Sequence, residues 1–316
     1  MIKNSASCSL QQRAISRNAR LVFFGFCMGC ADVVPGVSGG TIALILGIYE
    51  KLVQSIRSIA SKESLNALAH LQIKTFWREI NGSFLIALGS GIFLAIFTLA
   101  QAIEHLLLTQ PTCVWSVFFG LVLASVFLVG ARIRKWSAPL CAAFVVGAVG
   151  AYVIVGMVPV ETPETWWFLV FSGAIAICAM ILPGVSGSFI LVILGKYEFV
   201  LHAVNERDIG TILIFGAGAI VGLLAFSKVL SYLLRRNHDV TIAVLTGLML
   251  GSLRHIWPWK VVENGAELLR QNVFPKFMEN GMLYTETFVL IGLMGVGIIL
   301  ILFLQKVADG RDETSN

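Results

Sequence analysis

The chain has 316 residues, of which 57% are hydrophobic and only 13% charged. Soluble proteins carry about twice that charged share, and several apolar runs here reach the roughly 20 residues that span a bilayer. That excludes a water-soluble domain and defines an all-α polytopic membrane protein. The net charge of +5 comes from basic residues gathered in short loops, a pattern that orients membrane proteins and does not point to nucleic acid.

In chain order, residues 1–20 form a basic tail that includes Arg13, Arg17 and Arg20. With the apolar Leu21–Met28 it imitates a signal peptide. Cleavage is not expected, because the motif that follows has a twin deep in the chain. That motif, Pro35-Gly36-Val37-Ser38-Gly39, lies inside the apolar segment 21–50 and returns as Pro183-Gly184-Val185-Ser186-Gly187 inside the segment 166–200. Between 35–50 and 183–198, 11 of 16 positions are identical. Proline and glycines break a helix, and a break at membrane depth is tolerated mainly where it lines a cavity.

The other apolar segments are 83–108, 112–131, 138–158, 210–234, 239–257 and 284–305, followed by the tail 306–316. Loop charge decides whether 21–50 crosses the membrane. The tail 1–20 has four Lys/Arg, and the segment 51–82 has five (Lys51, Arg57, Lys62, Lys74, Arg78). Both are cytoplasmic only if 21–50 turns back as a re-entrant hairpin. Arg132, Arg134 and Lys135, and later Arg235 and Arg236, then fall inside, while the acidic loop with Glu161 and Glu164 falls outside. Treating 166–200 as a second hairpin places both termini in the cytoplasm.

The reading is therefore two repeats, 21–158 and 166–305, each one re-entrant hairpin plus three transmembrane helices. Further matches support it: Gly89-Ser90-Gly91 with Gly216-Ala217-Gly218, and Gly120–Ser125 with Gly247–Ser252. An odd number of crossings per repeat makes the repeats inverted, an architecture of transporters.

A half-helix beginning at each break presents unpaired N–H groups and partial positive charge. Gly36, Ser38, Gly39, Gly40 and Thr41 in the first copy, and Gly184, Ser186, Gly187 and Ser188 in the second, suit an anion, phosphate above all. The plainer alternative is that the glycines pack the hairpins and the serines cap the half-helices. A helix terminus supplies about 0.3–2 kcal/mol, whereas a charge at the bilayer centre costs from ~3 to over 10 kcal/mol, so a cation is required. Arg254 is the first candidate, with an interfacial snorkelling arginine as the other reading. Lys196 is a weaker one, expected at the interface.

Asp32, three residues before Pro35, has two readings of equal weight: carrier of a coupling H⁺ or Na⁺, or carboxylate cap on the free N–H groups of the turn. Glu50 and Glu198 are expected at the interface. Cys27-x-x-Cys30 lacks a second ligand pair, so neither a metal nor another cofactor is expected, nor any structural disulfide. Gly218-x-x-x-Gly222 reads as helix packing.

Together, Asp32–Thr41, the Pro183–Gly187 copy and Leu250-Gly251-Ser252-Leu253-Arg254 resemble the PopT-type polyprenyl-phosphate translocases, over roughly residues 20–305. The resemblance implies return of undecaprenyl phosphate from the outer to the inner leaflet of the bacterial cytoplasmic membrane, driven by an ion gradient. It further implies that the motif serines, the glycines and Arg254 hold the phosphate head, with no catalytic residue. The motif is also similar to that of integral undecaprenyl-pyrophosphate phosphatases. Those carry an arginine where this chain has Gly39 and an acidic pair upstream, where Phe24–Ala31 has no acid. A small-anion channel or exchanger is the third reading. Oligomeric state leaves no signature in the sequence.

Overall fold

The computed structural model describes residues 18–34, 37–160, 162–262, 270–275, 278–279, 282–283 and 285–309. Pro35 and Gly36, most of both tails, and part of the loop before the last helix lie outside them. The described residues form helices α1 (18–32), α2 (Gly39–Ile45), α3 (Tyr49–Ile59), α4 (Lys62–Ala69), α5 (Ile73–Glu79), α6 (Gly82–Thr109), α7 (Pro111–Gly130) and α8 (Ala138–Ile154). There follow α9 (Trp166–Ile181), α10 (Gly187–Ile193), α11 (Tyr197–Asn205), α12 (Ile209–Arg236), α13 (His238–Ser252) and α14 (Thr285–Asp309). The chain is an all-α polytopic membrane protein, with one local departure. The loop ahead of α14 holds two short antiparallel ladders, Lys260–Val262 (β1) with Arg270–Asn272 (β2), and Met278–Glu279 (β3) with Met282–Leu283 (β4).

In both apolar segments that carry the motif the helix is interrupted, α1 ending at 32 before α2 starts at Gly39, and α9 ending at Ile181 before α10 starts at Gly187. Each second arm is shorter than the sequence reading drew it. Glycines in the left-handed region, Gly47 at φ +70° and Gly195 at φ +59°, stop α2 and α10 after seven residues, and the chain turns into α3 and α11. The axes of α10 and α11 differ by 110°. The basic stretch 51–82 is not an open loop: it folds into α3, α4 and α5.

Among the described residues four helices, α6, α7, α12 and α14, are long and apolar enough to cross a membrane. The expected spans 138–158 and 239–257 are shorter, 17 and 15 helical residues, because Gly156 ends one and Leu253–Pro258 turns the other. These two short helices pack on each other, and α7 packs on α14.

The duplication is visible atom by atom. A Cβ on Gly120 would fall 2.0 Å from the Met294 carbonyl oxygen of α14, and on Gly247 it would fall 2.1 Å from the Phe144 oxygen of α8. Likewise Gly297 meets the oxygen of Val117 at 2.0 Å, and Gly147 that of Val244 at 2.3 Å. Gly25 and Gly91 join α1 to α6 as Gly173 and Gly218 join α9 to α12. In every pair the partners are repeat counterparts, so α7–α14 becomes α13–α8 when the halves are exchanged. That is a pseudo-two-fold relation, built from backbones brought close by missing side chains. The expected packing role of Gly218 and Gly222 is observed: they abut Val170 and Ala174. The fully buried α2 lies in the central core beside residues of α7 and α13.

Candidate functional site

The first break begins where α1 runs out at Asp32. Ser38 is the N-cap of α2, extended at φ −122° and ψ 134°, and its Oγ accepts from the Gly40 N–H at 3.1 Å. The Asp32 carboxylate reaches across the turn, and its Oδ1 accepts from the Gly39 N–H at 2.6 Å. An oxygen-bearing side chain at this position satisfies donors that the helix cannot, and a carboxylate also complements the positive end of the dipole. The capping geometry foreseen for Asp32 is therefore present, and its glycine partner is required. A Cβ on Gly39 would meet the carboxylate at 2.5 Å.

The two breaks touch. Ser38 Oγ donates to the Met180 carbonyl at 3.0 Å, and Tyr49 Oη donates to the Ile181 carbonyl at 3.1 Å. In return the Gly184 N–H donates to Thr41 Oγ1 at 3.1 Å. The last carbonyls of α9, which have no intrahelical donors, are thus satisfied by hydroxyls of the other hairpin. Ser38, Thr41 and Tyr49 are all buried.

The second break is built differently. Gly184 sits at φ +85°, where only glycine is unstrained. Its Cα is pressed against α13, so that a Cβ would lie 2.8 Å from Met249 Cα and 2.9 Å from Ser252 Oγ. The hydroxyls of Ser186 and Ser188 bond each other at 2.8 Å. Ser186 leads into α10 without a side-chain cap bond. Met180 stands where the first break has Asp32, and among the described residues no carboxylate bonds the start of α10. Ser188 is exposed, while its counterpart Gly40 is buried. One break is closed by its own acid and the other is open.

Among the described residues, the hydrogen bonds of the two expected cations go to backbone carbonyls outside the breaks. Arg254 donates through Nη1 to the Tyr152 carbonyl at 3.0 Å and lies 4.3 Å from the centre of the Tyr152 ring. Its guanidinium rests on the end of α8, against Gly156, and makes no hydrogen bond to either break among the described residues. Lys196 is buried within the protein. It is 1% exposed, donates through Nζ to the Thr162 carbonyl at 2.8 Å, and lies near the rings of Phe168 and Phe199. Glu50 does lie exposed, paired with His238 at 2.9 Å, and Glu198 is exposed as well.

Two cations escaped the sequence reading. Arg132 caps the C-terminus of α2, donating to the carbonyls of Leu44 at 2.9 Å and Ile45 at 2.7 Å. Lys260 Nζ donates to the His255 carbonyl and lies 5.0 Å from the Trp115 ring. The His255 ring is 4.4 Å from that of Phe189, the neighbour of Ser188. His255 thus packs beside the first turn of α10, and Lys260 is tied to its backbone. Among the described residues no group of three or more His, Cys, Asp or Glu side chains is placed to hold a metal.

Two related halves, joined by a pseudo-two-fold relation and touching at two broken helices, define a polytopic membrane protein of the internal-repeat kind. More particularly, residues 28–271 match the model of the undecaprenyl phosphate translocase-like family, and the chain belongs to that family. It is 46% identical over 294 residues to the polyprenyl-phosphate transporter of Vibrio cholerae serotype O1, covering 90% of this chain and 95% of that one. It is 30% identical over 253 residues to the polyprenyl-phosphate transporter of Staphylococcus aureus, covering 74% of this chain and 84% of that one. No solved structure was found to match it.

Proposed function

We propose that the protein transports a polyprenyl phosphate, undecaprenyl phosphate in particular, from the outer to the inner leaflet of the bacterial cytoplasmic membrane. The step returns the lipid carrier for another round of peptidoglycan and envelope-polymer synthesis. Family membership and two relatives named polyprenyl-phosphate transporter support the substrate class. The observation that carries the mechanism is the asymmetry of the touching breaks, the first sealed by Asp32 and the second open at Ser188.

The phosphate head is received at Gly184, Ser186, Gly187 and Ser188 and passed to Gly36, Ser38, Gly39, Gly40 and Thr41. The prenyl chain stays in lipid throughout, since taking it into water would cost about 0.8 kcal/mol per CH₂. Half-helix termini alone do not hold a buried phosphate. Arg254, near the end of α13 that packs against Gly184 of the second break, supplies the countercharge. Asp32 occupies the N–H group that a phosphate at the first break would need. Protonation or Na⁺ binding would weaken that hold, which couples an ion gradient to the hand-over. The loop charges support cytoplasmic termini and a second break that faces outward.

Hydrolysis lacks its parts: Gly39 replaces an arginine, and no acid precedes the motif between Phe24 and Ala31. The test is reconstitution in liposomes with labelled undecaprenyl phosphate, following leaflet exchange and phosphate release together. Exchange without release is expected. Release would make the protein a phosphatase, and anion flux without exchange would make it a channel.

A further inference from the structure

A second basic feature lies away from both breaks. A cavity of about 370 Å³ opens between the α3–α4 junction and α12, lined by Arg57, Lys62, Lys228 and Arg235, with Glu63 and Tyr232 among its walls. Four cations face one acid, and none of the four has a carboxylate within ion-pair distance among the described residues. Tyr232 Oη accepts from Arg236 Nη1 at 2.7 Å, which leaves its own proton to donate and links a fifth cation to the cavity.

Lys228 is the unexpected member. It lies in the apolar helix α12, eight residues before Arg236, about 12 Å along the axis. Its exposed side chain shares the cavity wall with Arg57 and Lys62 of the basic segment, so the long stem can lift its ammonium to the level of those cations. Lys228, Tyr232 and Arg235 follow at i, i+4 and i+7, one face of the helix. The same face continues away from the basic end through Ala225 and Val221, which are exposed and apolar, with exposed Val229 alongside. A charged cleft therefore opens onto an apolar lane.

We infer that this cleft is a second phosphate site, binding the head of a lipid phosphomonoester while its chain lies along Val221, Ala225 and Val229. The lane selects a lipid over a free anion. The excess of cations suits a monoester, which carries up to about two negative charges, over a singly charged phosphodiester head. The cleft belongs to the end with the basic segment 51–82 and Arg235–Arg236, so it meets the inner leaflet by the loop charges. That the lipid is the transported polyprenyl phosphate rests on the proposed function; the existence of the site does not.

The test uses the full-length protein in nanodiscs of phosphatidylcholine, titrated with undecaprenyl phosphate and read by native mass spectrometry. Wild type and Lys228→Arg/Arg235→Lys should retain the cleft lipid. Lys228→Gln/Arg235→Gln should bind it about tenfold or more weakly, since two of the four cations lining the cleft are neutralised. Ser38→Ala, measured in parallel, should keep the cleft lipid, which separates this claim from the site at the breaks. Unchanged binding in the Gln variant overturns the inference. Equal displacement by phosphatidylglycerol overturns the monoester assignment, and competition by equimolar inorganic phosphate overturns the lipid assignment.

Discussion

Ser38 on the first hairpin donates a 3.0 Å hydrogen bond to the carbonyl of Met180 on the second, across 142 residues of sequence. That bond makes the two motif copies one structure, because it ties the cap of α2 to the free end of α9. Ser38→Ala leaves a buried carbonyl without its donor, a loss of about 1–3 kcal/mol. The melting temperature in detergent should fall, and lipid exchange should fall further than stability alone explains. Tyr49→Phe, which frees the Ile181 carbonyl, should show the stability loss with a smaller effect on exchange.

Asp32→Asn separates the two roles of the acid. The amide oxygen can still accept from the Gly39 N–H, so the helix cap persists and stability should change by no more than about 1 kcal/mol. The charge is gone, and with it the proposed coupling. Exchange measured with and without an imposed H⁺ or Na⁺ gradient should become indifferent to the gradient. A variant still driven by the gradient as wild type is would leave Asp32 a cap alone.

The pseudo-two-fold packing makes a paired prediction. Gly120→Ala and Gly247→Ala each place a Cβ about 2 Å from a backbone oxygen of the opposite half, and neither contact can give without moving a helix. Each should cost about 1–3 kcal/mol, and the two should be similar although they stand in different repeats. Gly89→Ala, where a Cβ meets nothing within 4 Å, is the control and should be near neutral.

His238, at the exposed start of α13, contacts Asp239 at 3.1 Å and Glu50 of α3 at 2.9 Å. Its pKa is raised, first by the hydrogen bond with Asp239 and then by Glu50. A raised folded-state pKa gives stability that is fully present below the unfolded value, about 6.5, and is lost as pH rises through the folded value. Half exposure keeps the effect well under about 1 kcal/mol. Thermal stability should slip slightly above neutrality, and His238→Ala should remove that slope.

The number of apolar segments, their order and the doubled break were legible because hydropathy and a repeated motif are local signals. The contact between the breaks was not, since nothing in Pro-Gly-Val-Ser-Gly says which carbonyl Ser38 will meet. Arg132 illustrates the same limit: loop charge counted it as an orienting residue, while its guanidinium in fact caps α2 at Leu44 and Ile45. Arg254 was singled out on the need for a cation and its place near the end of an apolar run. The turn at Leu253–Pro258 delivers its guanidinium to the Tyr152 carbonyl and ring, a contact that spacing alone does not reveal. Gly47 and Gly195 mark where the half-helices stop, a boundary set by a left-handed backbone turn, which a hydropathy profile does not register.

The central claim is that the two breaks together carry a lipid phosphate without cleaving it. The most direct measurement is leaflet exchange of labelled undecaprenyl phosphate in proteoliposomes of wild type and of Ser38→Ala with Ser188→Ala. Wild type should move the lipid with no phosphate released, and the double variant, still folded, should lose most of that movement. Equal exchange by the two proteins would contradict the account.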